Sequence, residues 1–513
     1  MRIKVLIIIS VIFGWHYQNS LTCQTVYFNK TLDIEGHWGA GLSIISEDTS
    51  YLINAITGPG KKVTLISVDT YGSENWIKKY GQSDQSWYSG WQGSMKAIGI
   101  GSYILGGAIA CTDTVRGLSM KFDFKGDSLW AKMYNSEFEE YLNLMSSCSI
   151  FNNGYAFSGE ISPVSGYVDV ILIKTDSLGN ELWRTTQNFG GADKGYSILQ
   201  TPDSGYIVGG YTYIPGVENS GDPLVVKFDK DGNYLWNKRF GGQYPDEEAM
   251  ICLNEDSTFT VLTTFTDSMY TNEVGYSRVN LIKVSQDGEI IWDKKYCSPL
   301  LGFYISNIKK ANDDGYICCG MRQWPDTAYD AGWLFRFNKN GDSLWFRDYM
   351  YYTQFPGNIN QLYDVDITTD GGFIVTGQAF MAYPPNSLQK IWLLKVDSLG
   401  CDTAGCDTTV GVEEHEGMEA WGHGNIKVWP NPCREMLNVK GLMLNEGGKF
   451  ELIIYDIFGR TVTARKISFP PVAGRVGDGD WQLDVSALQP GIYLAVVREG
   501  TTFIASAKFV VAR

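Results

Sequence analysis

The sequence predicts an all-β protein, a seven-bladed β-propeller followed by a small immunoglobulin-like β-sandwich. Three observations support this prediction: a motif that recurs seven times, glycine turns between aromatic-rich segments, and a change of pattern near residue 400. The 513 residues include 57 Gly, 16 Trp, 30 Tyr and 24 Phe but only 16 Pro. Such a composition is typical of many short strands joined by tight turns.

The recurring motif is an apolar strand, then Asp, Asn or Ser, two residues, Gly, three residues and Trp. Successive glycines lie 54, 53, 53, 56, 53 and 59 residues apart, a period typical of four-stranded propeller blades. The copies are Asp69-Gly72-Trp76, Asp123-Gly126-Trp130, Asp176-Gly179-Trp183, Asp229-Gly232-Trp236, Ser285-Gly288-Trp292, Asn338-Gly341-Trp345 and Asp397-Gly400, the last with Cys401 and no Trp.

Each repeat contains four predicted strands. In the fourth repeat, strand a spans residues 234–240, b 248–253, c 259–265 and d 279–284. Residues 25–30 resemble strand a of a first repeat, so the chain ends are expected to meet in or beside one blade. Ring closure removes exposed sheet edges. We therefore predict that residues 24–400 form the propeller.

Because strand direction alternates, the a–b and c–d connections share one end of the ring, the loop face, and the b–c and d–a turns share the other, the turn face. The loop-face connections are long, variable and aromatic, and recognition usually resides on such loops. We predict ligand-binding residues there: Trp87, Trp91, Tyr213, Tyr270, Trp324, Tyr329, Tyr352 and Tyr383.

The residues repeated near the turn face favour structural roles. For the tryptophans, packing between blades is favoured over stacking on a sugar. For the Asp-x-x-Gly segments, hairpin turns are favoured over calcium loops, which need more oxygen ligands. A basic residue recurs two positions before the Asp, and ion pairs between blades are favoured over an electropositive ring.

Histidine is scarce, which bears on catalysis. Of four histidines, only His37 lies within the predicted propeller, which argues against Ser-His-Asp, Cys-His and His-rich metal sites. Loop carboxylates such as Asp193, Asp246 and Glu247 could serve catalysis, so a hydrolase or lyase function is the alternative. No catalytic residue is assigned, and no metal or cofactor is predicted. The net charge of −15 disfavours nucleic-acid binding.

Residues 1–23 have the charged, apolar and polar order of a secretory signal peptide, with cleavage predicted after Cys23. A lipoprotein signal at Leu21-Thr22-Cys23 is the alternative, although the residue before the cysteine is not Gly or Ala. The apolar run is too short to span a bilayer, and no transmembrane segment is expected in the mature chain.

The repeat pattern stops after Gly400. Residues 401–424 are predicted to be an acidic linker, in which Cys401 and Cys406 are the pair expected to be bridged. Residues 425–513 contain several predicted strands, as a small β-sandwich requires. Their motifs are Pro430-Asn431-Pro432, Ile454-Tyr455-Asp456 with Gly459-Arg460, Leu483 to Leu488, Pro490-Gly491-Ile492-Tyr493-Leu494 and Lys508-Phe509-Val510-Val511.

In these motifs, residues 425–513 resemble the type A C-terminal sorting domain of the type IX secretion system of Bacteroidota. The departures are Trp429, where tyrosine commonly precedes the proline, and the longer segment 469–480. The resemblance implies recognition by the outer-membrane translocon and removal by its sorting peptidase. It also implies passage through the periplasm, with the propeller then released or attached to the cell surface.

Taken together, the sequence predicts a secreted or cell-surface propeller that binds an extracellular glycan, peptide or protein without catalysis. The alternative is a carbohydrate-active hydrolase or lyase that uses loop carboxylates.

Overall fold

The structure is a computed structural model that describes residues 26–99, 101–111, 114–135, 141–162, 166–213, 221–269, 275–297, 302–324, 329–353, 357–381, 389–403, 426–429, 433–442, 449–456, 461–468, 478–489, 491–499 and 502–511. All statements below concern these residues. Their regular elements are all β-strands, which confirms the all-β class. The predicted signal peptide lies outside these ranges, as does nearly all of the predicted linker.

The first part of the chain begins with strand β1 (Phe28–Leu32) and continues into groups of antiparallel strands, the second and third of which are joined into one sheet by the parallel pairing of Tyr141 with Val115. Unit 1 is β2 (Gly39–Ser46), β3 (Ser50–Thr57), β4 (Lys62–Asp69) and β5 (Glu74–Tyr80). Unit 2 begins with β6 (Ser86–Ser89) and β7 (Met95–Ala97), two short strands that both pair with β8 (Ser102–Ala110). It continues with β9 (Val115–Asp123) and β10 (Ser128–Tyr134). Unit 3 is β11 (Tyr141–Ser149), β12 (Tyr155–Ser162), β13 (Asp169–Thr175) and β14 (Glu181–Gln187).

The same order continues in the next four groups. Unit 4 is β15 (Asp193–Gln200), β16 (Tyr206–Tyr213), β17 (Gly221–Phe228) and β18 (Tyr234–Arg239). Unit 5 is β19 (Met250–Leu253), β20 (Phe259–Met269), β21 (Gly275–Val284) and β22 (Ile290–Tyr296). Unit 6 is β23 (Gly302–Lys310), β24 (Tyr316–Trp324), β25 (Tyr329–Phe337) and β26 (Ser343–Tyr349). Unit 7 is β27 (Ile359–Ile367), β28 (Phe373–Phe380) and β29 (Lys390–Val396), completed by β1.

The first strands of the seven units form a closed circuit. Strands β2, β7, β11, β15, β19, β23 and β27 contact one another in that order, and β27 contacts β2. Strand β1 pairs antiparallel with β29, from Phe28 opposite Lys395 to Leu32 opposite Ile391. The two ends of the repeat region therefore share one sheet. This is the arrangement that a β-propeller requires.

The grouping of strands within a repeat differs from the prediction. The tryptophan-containing strand was expected to open each blade, but it pairs with the strand before the Asp-x-x-Gly turn and forms the outer edge of the preceding sheet, as β18 does with β17. The reason is local: a tight turn joins its two flanking strands into a hairpin. In this turn Asp229 accepts hydrogen bonds from the backbone N–H groups of Asp231 and Asn233, at 2.9 and 2.8 Å.

Each repeated tryptophan packs against the turn glycine of the next unit, as predicted. A Cβ atom added to Gly126 would lie 2.3 Å from the Trp76 ring. The same contact recurs between Trp130 and Gly179, Trp183 and Gly232, Trp236 and Gly288, Trp292 and Gly341, and Trp345 and Gly400. Phe28 of β1 occupies the equivalent place on Gly72. These residues stabilise the contacts between neighbouring units.

The repeated basic residues do not form the predicted ion pairs between blades. Lys227 is 1% exposed, and its Nζ lies 2.9 Å from Asp203 in the b–c turn of its own unit. Lys283, Arg336 and Lys395 pair in the same way with Asp256, Asp313 and Asp370. Lys121 and Lys174 lie over tyrosine rings of the next unit. In these four units the acidic partner therefore comes from the b–c turn of the same sheet and not from a neighbouring unit.

The C-terminal residues form two sheets. The first contains β30 (Ile426–Trp429), β31 (Met436–Leu442) and β34 (Asp478–Asp484), and the second β32 (Lys449–Asp456), β33 (Thr461–Ser468), β35 (Gly491–Glu499) and β36 (Thr502–Val511). Leu437, Val439 and Leu483 of the first sheet share a buried core with Leu452, Ile454 and Phe509 of the second. The two-layer packing is that of a β-sandwich.

Candidate functional site

The innermost strand of unit 2 is interrupted where the other units have a continuous strand. Between β6 and β7, residues 90–94, here called the crossing segment, enter the middle of the ring. The N–H of Trp91 donates to the carbonyl of Met145 in unit 3, and the N–H of Gly93 to that of Leu42 in unit 1, both at 2.8 Å. A Cβ on Gly93 would lie 2.2 Å from Nδ2 of Asn307 in unit 6. The crossing segment therefore obstructs the centre of the ring.

The crossing segment presents Trp91 to solvent. The Trp91 side chain is 38% exposed, and its ring centroid lies 5.1 Å from that of Tyr196 in unit 4. Its Nε1 donates to Oε1 of Glu248 in unit 5 at 3.1 Å. Trp91 lies in the interruption between β6 and β7, and Glu248 lies just before β19, the innermost strand of unit 5. We call the site that Trp91, Tyr196 and Glu248 form at the ring centre the mouth.

Glu248, the hydrogen-bond partner of Trp91, is preceded in the chain by a second carboxyl group, that of Glu247. Burial and the charge of Glu248 raise the pKa of Glu247 well above its usual range. Burial likewise raises the pKa of Glu248. Like charges held close together and partly out of water favour retention of a proton. The pair can therefore accept hydrogen bonds or exchange a proton with a bound group.

A third carboxylate belongs to an internal network. Glu160 accepts hydrogen bonds from the Tyr141 hydroxyl at 2.7 Å and from Asn143 Nδ2 at 3.3 Å. Lys194 Nζ lies 3.1 Å from its other oxygen. Glu160 is thus neutralised within the protein, and Lys194 is already paired.

Asp193 and Asp246, the other carboxylates considered for catalysis, hold loops in place. Asp193 accepts hydrogen bonds from the Phe189 N–H at 2.6 Å and from the Thr212 hydroxyl. Asp246 accepts from the N–H groups of Thr266 and Gly242, at 2.5 and 3.1 Å. Burial raises the pKa of Asp246 to about 6 despite these bonds. Each carboxylate joins the loop entering a unit to the second strand of that unit.

The predicted aromatic residues do not converge on one site. Trp91 lies in the mouth, whereas half-buried Trp87 packs on the core between units 1 and 2. Tyr352 packs edge-on against Tyr351, with ring centroids 4.8 Å apart. The remaining positions are Tyr213, half-buried at the end of β16; Trp324 and Tyr329, paired across β24 and β25; and Tyr270 and Tyr383, outside the described residues.

Tyr196 and Glu248 were not singled out from the sequence. Tyr196 lies where β15 shifts register between Gly195 and Ser197. Such a β-bulge turns a side chain away from the regular alternation. Only the long-range contact with Trp91 shows that it belongs to the mouth.

The described sorting-motif residues lie on paired strands of the sandwich. Tyr455 pairs with Leu494 and Asp456 with Tyr493, and Gly491 starts β35. Tyr493 is buried, stacks on Phe509 at 5.6 Å and donates its hydroxyl to the Gln489 carbonyl at 2.8 Å. Pro430, Asn431, Pro432, Gly459 and Arg460 lie outside the described residues.

Cys401 is disulfide-bonded. Its predicted partner, Cys406, lies outside the described residues.

Comparison with solved structures gives distant likenesses. A protein of unknown function from Dyadobacter fermentans DSM 18053 is 7% identical, with a TM-score of 0.40 over 62% of this chain and 96% of that one. An ulvan lyase of a new polysaccharide lyase family is 8% identical, with a TM-score of 0.46 over 74% and 98%. An endo-arabinase from Bacteroides thetaiotaomicron VPI-5482 is 8% identical, with a TM-score of 0.29 over 58% and 89%. No curated protein matches the chain.

The C-terminal region matches a known family. Residues 427–512 match the family described as the secretion system C-terminal sorting domain. In the part of the chain that the structure describes, no helix has the length and apolarity needed to cross a membrane. The chain therefore carries a type IX secretion sorting domain, which directs export to the cell surface or the extracellular space.

Proposed function

We propose that this protein is an exported β-propeller that binds a glycan, peptide or protein at its loop face without catalysis. The observation that carries the proposal is the mouth, where a partly exposed Trp91 lies beside Tyr196 and Glu248 from two other units. Exposed aromatic rings beside a few convergent polar groups are typical of binding sites. The crossing segment carries Trp91 into the mouth and obstructs the centre of the ring.

The proposal is tested by presenting the mature protein to arrays of glycans, peptides and extracellular proteins. We expect a ligand whose affinity falls at least about tenfold, or about 1.4 kcal/mol, in Trp91→Ala. The matched control is Tyr71→Ala, which removes an aromatic side chain that is 65% exposed in a d–a turn. Absence of any ligand, or equal loss in both variants, would refute a binding role for the mouth.

The alternative is a carbohydrate-active hydrolase or lyase that uses loop carboxylates. It is favoured by the raised pKa values of Glu247 and Glu248, because a raised pKa suits a carboxyl group to act as a general acid. Screening for polysaccharide cleavage distinguishes the two functions. Turnover that is lost in Glu247→Gln but retained in Asp193→Asn would favour the enzyme.

A further inference from the structure

The b–c turns of units 3 to 7 share one backbone form but differ at their third residue. In each turn the first N–H donates to the carbonyl of the fifth residue, and the fourth N–H donates to the carbonyl of the first. The third residue is an aspartate in units 4 to 7 and Asn152 in unit 3. The four aspartates bind the basic residues of their own units, Lys227, Lys283, Arg336 and Lys395. Unit 3 therefore lacks the carboxylate that its own basic residue would bind.

Lys174 is the basic residue of unit 3. It has the same register position on β13 as Lys227 on β17, opposite the second residue of the neighbouring strand. Its half-buried side chain forms no ion pair with a described residue, and its Nζ lies 5.7 and 5.9 Å from the ring centroids of Trp183 and Tyr206. Aromatic faces stabilise the charge of an ammonium group but are poor acceptors for its three N–H groups. Lys174 can therefore bind an anion from outside the chain.

A cavity of about 260 Å³ lies beside Lys174, on the turn face between units 3 and 4. Its other polar and aromatic lining residues are Phe151 and Asn152 of unit 3, and Gln200, Ser204, Lys230 and Asp231 of unit 4. Lys230 and Asp231 neutralise each other, with Nζ 2.6 Å from Oδ2. Lys174 therefore gives the lining a net positive charge, and the cavity includes the position of the missing aspartate.

The cavity is preformed and mostly polar. Gln200 joins the two b–c turns, because its Oε1 accepts from the N–H of Phe151 at 2.7 Å and its Nε2 donates to the carbonyl of Ser204 at 3.2 Å. The Phe151 side chain is 66% exposed, so an aromatic face lies open beside amide and hydroxyl groups. A sugar ring, with its apolar face and several hydroxyl groups, matches this combination. The volume also exceeds that of one carboxyl group, since a single water molecule takes about 30 Å³.

We propose that this cavity binds an acidic sugar residue of an extracellular glycan, with its carboxylate at Lys174 and its ring against Phe151. The site is separate from the mouth and does not depend on the function proposed there. A glutamate or aspartate side chain could supply the charge, but it has no hydroxyl groups for Asn152 and Ser204. The net charge of −15 does not prevent binding, because charges more than about 8 Å away are largely screened at physiological ionic strength.

The test uses the mature full chain and trigalacturonate, with methyl-esterified trigalacturonate as the uncharged matched probe. By isothermal titration calorimetry we expect saturable binding of the acid and at least about tenfold weaker binding of the ester. Lys174→Met, which removes the ammonium group and keeps an apolar stem, should weaken binding of the acid to a similar extent. Its control is Lys121→Met, because Lys121 has the same position in unit 2, lies over Tyr155 and does not line the cavity.

Asn152→Asp is the second variant, because it restores the aspartate of units 4 to 7 and should bind Lys174 from within the chain. We expect at least about tenfold weaker binding of trigalacturonate, with no loss in melting temperature. Asn153→Asp is its control, since it adds the same charge at the neighbouring position, where unit 6 has Asp314.

Three results would overturn the inference: no saturable binding of trigalacturonate, equal binding of the acid and its ester, or unchanged affinity in both Lys174→Met and Asn152→Asp. Pentaglutamate is the competing probe. If it binds more tightly than trigalacturonate and loses affinity in Lys174→Met, the site is one for an acidic peptide and not for a sugar.

Discussion

At the centre of the ring, Gly93 leaves no room for a side chain. Its φ of +67° is unfavourable for other residues, and Asn307 occupies the space that a Cβ would need. The neighbouring Trp91 is held by backbone hydrogen bonds of the same segment to units 1 and 3. A single glycine thus determines how the main aromatic residue of the mouth is presented.

We expect Gly93→Ala to displace the crossing segment and to expose Trp91 further, because the added methyl group collides with Asn307. The measurement is acrylamide quenching of tryptophan fluorescence together with the melting temperature. Gly99→Ala is the matched control, since Gly99 has a φ of +68° but no atom within 4 Å of an added Cβ. Equal changes in quenching and melting temperature in the two variants would mean that backbone strain alone, and not the collision with Asn307, causes the effect.

The Asp330 carboxyl group predicts a pH effect on stability. Asp330 is buried on β25, and burial raises its pKa to about 6 in the folded chain, above the ordinary value of an aspartate. The folded state therefore binds this proton more tightly, and stability is lost as the pH rises from about 4 to above 6. Asp330→Asn should be more stable than the parent at pH 8 and equally stable near pH 4.

A pKa difference of this size corresponds to roughly 3 kcal/mol, but the Asp330 carboxyl group is not wholly shielded from water, so we expect about 1 kcal/mol. Chemical denaturation at the two pH values measures the difference. A variant that is less stable than the parent at pH 8 would contradict this account.

At the scale of the element, the d–a hairpin has two structural roles. Its Asp-x-x-Gly turn joins the two outer strands of one sheet, and its glycine receives the tryptophan of the preceding unit. One short motif therefore specifies both a turn and a contact between units. This dual role explains why the motif recurs with nearly constant spacing.

Trp183→Ala should lower the free energy of unfolding by about 3 kcal/mol, because it opens a cavity between units 3 and 4. Leu182→Ala is the control on the same strand, since Leu182 is 58% exposed, and it should change stability by less than about 0.5 kcal/mol. Thermal and denaturant unfolding of both variants provide the comparison. Equal losses would show that the tryptophan does not join the units.

At the scale of the whole molecule, closure depends on the N-terminal strand. Strand β1 covers the edge of β29 and places Phe28 on Gly72 of unit 1. Residues far apart in sequence thus complete one sheet, and an edge that would otherwise template aggregation is paired. The C-terminal sandwich has its own hydrophobic core, as expected of a separate sorting module.

Deleting residues 425–513 should retain the protein in the periplasm, because the type IX translocon would no longer recognise it. Cell fractionation with immunoblotting of periplasm, surface and medium measures this outcome. A control lacking only residues 404–424 keeps the matched domain. Unchanged secretion of the first deletion would contradict export through this domain.

The amino-acid pattern alone determined the all-β class, the repeat, the packing of tryptophan between units and the C-terminal sorting motifs. These features are local or periodic, since turns depend on adjacent residues and a repeated contact leaves a repeated residue. The pairing of the tryptophan strand, the partners of Lys227 and the mouth were decided by the tertiary structure. Trp91, Tyr196 and Glu248 come from three units, so only closure of the ring brings them together.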